Sequence, residues 1–136
     1  MNYIIEAILV GIYTCIIYLL FSPFIKNFYS LLLVVGFSKH FLGSSLGLWT
    51  WYCNNGEACL KVLSQDQIYE ANTLYLISES IYEAIAFLIM GVILSYKLTN
   101  PLYLFLIIGF SLHVLAENWS VHKGFCKRTC VKIESN

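Results

Sequence analysis

Four apolar stretches, each near the twenty or so residues a helix needs to cross a hydrocarbon core, take up most of this 136-residue chain. They run over residues 4–21, 28–52, 69–96 and 101–120. A soluble domain of this length has a single small core and cannot hide so much apolar surface. Hydrophobic residues make up 59% of the chain and charged residues only 12%, about half the charged share of a soluble domain. The pattern predicts an all-α polytopic membrane protein. Residues 1–120 would form a four-transmembrane-helix antiparallel bundle with short hairpins and one longer polar loop over 53–68. Residues 121–136 would follow as a short basic tail containing cysteines.

The joints between the stretches fit this layout. Ser22-Pro23 ends the first stretch, because proline disfavours helix in the residue before it. Lys97 to Asn100 makes a short polar hairpin, and Pro101 suits the first turn of the next helix. The longer connection carries the turn signal Asn54-Asn55-Gly56. Tyr3, Trp49, Trp51, Tyr52 and Trp119 would mark one membrane boundary, and Phe28, Tyr29, Tyr96 and Tyr103 the other. The first stretch lacks a basic flank and a small-residue cleavage site, so it reads as a retained helix. A net charge of zero without a basic run argues against nucleic acid as a partner. The wealth of Ile, Tyr, Asn and Lys is what an AT-rich genome encodes, that of a virus among them.

Four crossings put both termini, the 53–68 loop and the tail on one side. Lys61, Lys123, Lys127, Arg128 and Lys132 lie there, against Lys26 and Lys97 opposite. The positive-inside rule then places both termini in the cytoplasm. The cysteines pull the other way. Cys53, Cys59, Cys126 and Cys130 all fall on that same face, and two disulfides among them would require an oxidising compartment. Spacing alone leaves three readings open: disulfides, reduced semi-buried thiols, or a zinc site, for which the C-x5-C and C-x3-C spacings are unusual. Cys15, inside the first stretch, reads as packing.

Ionisable groups inside transmembrane helices cost about 2.5–3.5 kcal/mol each on insertion scales and usually face the protein interior. Here they are Glu6, Lys39, His40, Glu79, Glu83, His113 and Glu117. Glu79 and Glu83 are four apart and share a helical face, as do His113 and Glu117. Gly36, His40, Gly43 and Gly47 follow one stripe, with Gly43-x-x-x-Gly47 as a small-residue packing motif, and Gly109 lies on the face of His113. At about 1.5 Å per residue, His40 and Glu83 fall near mid-membrane. His113 and Glu79 fall roughly 4–6 Å, and Glu6 and Glu117 roughly 10 Å, towards the termini. The expectation is one shared cavity in that half, with Glu6 and Lys39 supporting the other five.

Three uses fit such a cluster. The first is polar glue in a structural, assembly or partner-docking component, in which loop and tail meet another protein or a second copy of the chain. The second is an intramembrane enzyme acting on a lipid-like substrate, either by acid–base chemistry or through zinc or iron held by His40, His113 and Glu117. Neither HExxH nor the di-iron Glu-x-x-His spacing is present. The third is a proton-coupled carrier working as an oligomer. The sequence alone ranks them in that order.

Overall fold

The computed structural model describes residues 2–134; Met1, Ser135 and Asn136, at the edges of the two expected domains, lie outside the described residues. The chain forms α1 (Tyr3–Phe21), α2 (Phe28–Ser45), α3 (Leu48–Asn55), α4 (Glu57–Val62), β1 (Tyr69–Ala71), α5 (Leu76–Ser95), α6 (Pro101–Asn118), α7 (Val121–Thr129) and β2 (Cys130–Lys132). Asparagine side chains start three of the long helices. Asn2, Asn27 and Asn100 each accept a backbone N–H of the first turn, and Pro101 opens α6, where its missing N–H costs no bond.

The four long helices pack in two tight pairs, α1 along α6 and α2 along α5, each antiparallel. Glycines set the closeness. A Cβ at Gly109 would lie 2.3 Å from Thr14 Oγ1, and one at Gly11 would lie 2.9 Å from the Leu106 carbonyl oxygen. Between α2 and α5, a Cβ at Gly36 would meet Ala84 and Phe87 at 2.9 Å, and one at Gly91 would meet Leu32 at 2.4 Å. Ile17, Leu31, Leu32, Val35, Phe87, Leu104, Phe105 and Ile108 fill the half of the molecule remote from the N-terminus.

The long helices are apolar on their outer faces as well. Ile77, Ile81, Ile85, Ile89 and Ile93, one per turn of α5, are all exposed, and α1 exposes Ile4, Ile5, Ile8, Leu9, Ile12, Ile16, Leu19 and Leu20. Isoleucine stripes of this kind suit lipid and not water. Helices α1, α5 and α6 are each long and apolar enough to cross a membrane. The helices α2 and α3 are long and apolar enough only when taken together, and they are bent by 75° at the break between them, as in a broken span or a re-entrant loop.

Three expectations change here. The continuous helix over 28–52 is broken, because Gly47 takes a left-handed φ of 79° that glycine adopts at no steric cost. Gly47 is therefore a turn residue with nothing near its missing Cβ, and Gly43 meets only Trp49 and Tyr13 at ordinary contact distances. Gly43-x-x-x-Gly47 is not a helix-packing motif; Gly11 and Gly91 do that work beside Gly36 and Gly109. The third long helix starts at Leu76 and not at residue 69, because other partners take the Tyr69 backbone: Asn54 donates to its carbonyl (2.9 Å) and accepts its N–H (3.0 Å). Tyr69 to Ala71 pairs antiparallel with Cys130 to Lys132, so a small two-stranded sheet joins a mostly helical fold.

The segment from 121 on, expected as a basic tail, folds into α7 and β2 and is tied back by two disulfides, Cys53–Cys130 and Cys59–Cys126. These sulfurs, with Ala58, Tyr52, Val62, Tyr69 and Phe125, form a second small core. The 53–68 loop and the former tail together make a cap. Cys15 is a buried free thiol in α1 that donates to the Leu102 carbonyl, as packing requires.

Candidate functional site

Between the packed core of the long helices and the disulfide-bonded cap lies a cavity of about 780 Å³, within the range of small-molecule sites. Glu6, Lys39, His40, Glu79, Glu83 and His113 all line it. Above the shared core the cavity opens between the two helix pairs, and each pair carries its own network of charged side chains.

The α1/α6 wall is built on Glu6, only 4% exposed. Its Oε2 lies 3.1 Å from His113 Nε2, and its Oε1 accepts the Glu57 N–H at 2.7 Å. Glu57 in turn accepts the Tyr3 N–H at 2.6 Å, so one carboxylate ties α1, α6 and the cap together. His113 and Glu117 share a face as their spacing implies, yet they bond elsewhere. Glu117 Oε2 lies 3.0 Å from His122 Nδ1, and the His113 and His122 rings lie 4.4 Å apart.

The α2/α5 wall faces it. Lys39 Nζ donates to Glu83 Oε1 at 2.5 Å, and His40 Nε2 lies 3.4 Å from Glu79 Oε2. The Arg128 guanidinium from α7 donates to Glu79 Oε1 through Nε at 3.1 Å and also through Nη2. Neighbours one residue apart on α2 thus reach carboxylates four apart on α5, the longer lysine side chain making up for its different direction. This wall is not sealed: the His40 and Glu83 side chains each keep 21% of their surface.

The roof comes from the cap. Trp49 sets its edge against the His40 ring at 4.5 Å and meets Phe125 at 5.1 Å. Tyr52 packs edgewise on His122 and His113, and its buried hydroxyl has no hydrogen-bond partner among the described residues. The α1/α6 wall is otherwise largely apolar where it lines the cavity, through Leu9, Val10, Leu112, Leu115 and Ala116. Burial, and then the nearby His113, push the His122 pKa below its ordinary value, because taking an imidazolium out of water disfavours its charged form.

Of the seven ionisable residues expected to share one cavity, Glu6, Lys39, His40, Glu79, Glu83 and His113 line it and Glu117 does not, while His122, Arg128, Tyr52 and Trp49 line it without having been singled out as site residues. The four cysteines carried the available signal, since closing the tail on the loop puts residues 119–128 over the helix ends. The three residues considered as metal ligands do not converge. His113 bonds to Glu6, Glu117 to His122, and His40 to Glu79 across the cavity. Among the described residues, the group of three ligand atoms close enough to share an ion is Cys59, Cys126 and Cys130. All three sulfurs are in disulfides, which removes the thiolates that zinc requires.

No protein-family model, curated protein or solved structure matches this chain.

Proposed function

We propose that this chain is a multi-pass membrane protein, with α2 and α3 as a bent fourth span, that works as an acid–base enzyme on a lipid-like substrate. The chemistry is proton relocation. A carboxylate–imidazole pair on one wall takes a proton from a substrate carbon. The electron pair left behind shifts along the substrate, and a pair on the opposite wall delivers a proton to a second carbon. The product is an isomer, and no oxidant or reductant is consumed. The two walls end with exchanged protonation, which resets through water at His40 and Glu83.

One observation carries this reading: carboxylate–base pairs stand on both sides of one cavity whose remaining lining is mostly apolar and aromatic, with His122 and Arg128 from the cap. Among the described residues the lining includes no serine, threonine or cysteine, and its imidazole–carboxylate pairs suit proton transfer. The docking role loses support because loop and tail are folded into a roof. A carrier needs access from both sides, and Phe87, Phe105 and their neighbours fill the far half. The two disulfides favour placing the cap and both termini in an oxidising compartment, opposite to the side that the lysine count selects.

The test is carbon-bound deuterium. Purified protein is incubated with membrane lipid extract in deuterated water and the lipids are analysed by mass spectrometry. One lipid class is expected to gain deuterium, with the rate falling about 100-fold or more in His113→Gln. No gain above a protein-free control would refute the proposal.

A further inference from the structure

The two gaps between the helix pairs are closed differently. Between α1 and α2 the chain is laced. The Tyr13 hydroxyl donates to the Lys39 carbonyl at 3.0 Å, and nearer the cap Glu6 and the Tyr3 N–H both bond to Glu57. Leu9, Leu48 and Trp51 reach the surface on this side, but the spans beneath them are tied. Between α5 and α6 there is no such tie. Glu79 and Glu83 bond to α2 and α7, and His113 and Glu117 to α1 and α7. Among the described residues, no hydrogen bond, ion pair or ring contact passes from α5 to α6.

That gap is nevertheless framed. The hairpin before Pro101 joins the two helices at the far end, where the core holds them together. Across the other end lies α7, fixed to α5 through Arg128 and Glu79 and to α6 through His122 and Glu117. The cavity reaches the surface inside this frame. Tyr82 and Trp119 line it and yet are 70% and 72% exposed, and Ala86 on α5 and Ala116 on α6 line it with small side chains. Tyr82 lies six residues past the start of α5, and Leu112 six before the end of α6, roughly 9 Å inside the spans. Ile81 and Ile85 of the exposed stripe lie on either side of Tyr82 along α5. The opening is therefore continuous with the surface that suits lipid, below the level of the cap.

Resting on the lipid-substrate reading above, we infer that the α5/α6 gap is a side entrance from the bilayer. The substrate is a membrane-resident lipid whose acyl chain slides between α5 and α6, beneath α7, and lies in the cavity. A chain that passes from the bilayer to this lining never crosses water, where each exposed methylene is costly.

The test places the full chain in phosphatidylcholine vesicles doped with a phosphatidylcholine that carries a diazirine in mid-chain. On illumination the probe bonds to the side chains it touches, carboxylates readily, and the adducts are mapped by mass spectrometry. Wild-type protein is expected to be labelled at Glu83 inside the cavity as well as on the outer α5 stripe. The Glu83 adduct should be lost in Ala86→Trp and in Ala116→Trp, which narrow the gap from either helix, and kept in Leu9→Trp on the opposite side. Labelling of the outer stripe reports that each variant is folded and inserted. Wild-type labelling confined to the outer stripe, or a Glu83 adduct that survives both narrowing variants, would overturn the entrance. Deuterium gain without Glu83 labelling would overturn the entrance and leave the acid–base reading standing; Glu83 labelling without deuterium gain would do the reverse.

Discussion

Removing the disulfides should loosen the cap in a characteristic, non-additive way. The bridges are nested, Cys59–Cys126 lying inside Cys53–Cys130, with sequence separations of 67 and 77. In the chain-entropy account, a loop of either length is worth about 4.4 kcal/mol, and leaving α5 and α6 out of the loop still gives about 4 kcal/mol. Once one bridge is closed, the other closes only a ring of about ten residues, worth about 2.7 kcal/mol. Loss of either bridge alone should therefore cost about 3 kcal/mol, and loss of both about 7 kcal/mol. The variants are Cys53→Ala with Cys130→Ala, Cys59→Ala with Cys126→Ala, and all four together. The assay is thermal unfolding in detergent under non-reducing conditions. At about 3–5 °C per kcal/mol for a chain of this size, single losses should lower the midpoint by about 10 °C and the joint loss by more than twice that. Strictly additive losses, or a cap that tolerates the fourfold change, would refute the nested geometry.

Other perturbations test the walls and the helix contacts. Glu83→Gln leaves Lys39 without its counter-charge in a half-buried site and should cost about 3–5 kcal/mol. Converting both to methionine should cost less than either single change, and a double-mutant cycle on melting temperature measures this. Gly109→Val must displace Thr14 from the α1/α6 contact and should cost about 3 kcal/mol. Gly124→Ala in α7, where a Cβ meets nothing within 4 Å, should be neutral or stabilising by about 0.5 kcal/mol. The pH profile follows from His122. Its folded pKa lies below the ordinary value of 6.5, so the unfolded chain takes up the proton first. Stability is full above about pH 6.5 and falls as pH drops below it. A His122→Asn variant should show a flatter melting profile between pH 7 and 5; an unchanged slope would remove His122 as its cause.

Hydropathy and proline placement made α1 and α6 legible almost to the residue, because a long apolar run between polar breaks has few other solutions. Spacing within a helix was equally plain: Glu79 with Glu83, and His113 with Glu117, share faces. Which helix faces which was not legible. Glu6 and His113 are 107 positions apart, and a periodicity argument has no term for such a contact. Glycines four apart mark either close packing or a turn, and only the backbone angle at Gly47 separates the two. The bend after α2 escaped notice because Leu48 to Tyr52 continues the apolar run through it. The Tyr69 strand escaped notice because its competing partners, Asn54 and Cys130 to Lys132, come from other parts of the chain. The cysteines were the one long-range clue in the sequence, and their pairing was beyond spacing alone.

The account rests on the cavity between the two charged walls being where an amphiphile sits. Native mass spectrometry of the protein released from mild detergent measures this directly, using wild type and Ala116→Trp, which fills the lining from α6. The account predicts one bound amphiphile per wild-type chain and its loss from Ala116→Trp, with the melting temperature of the variant little changed. A wild-type chain that carries no amphiphile, or one retained equally by Ala116→Trp, would contradict it.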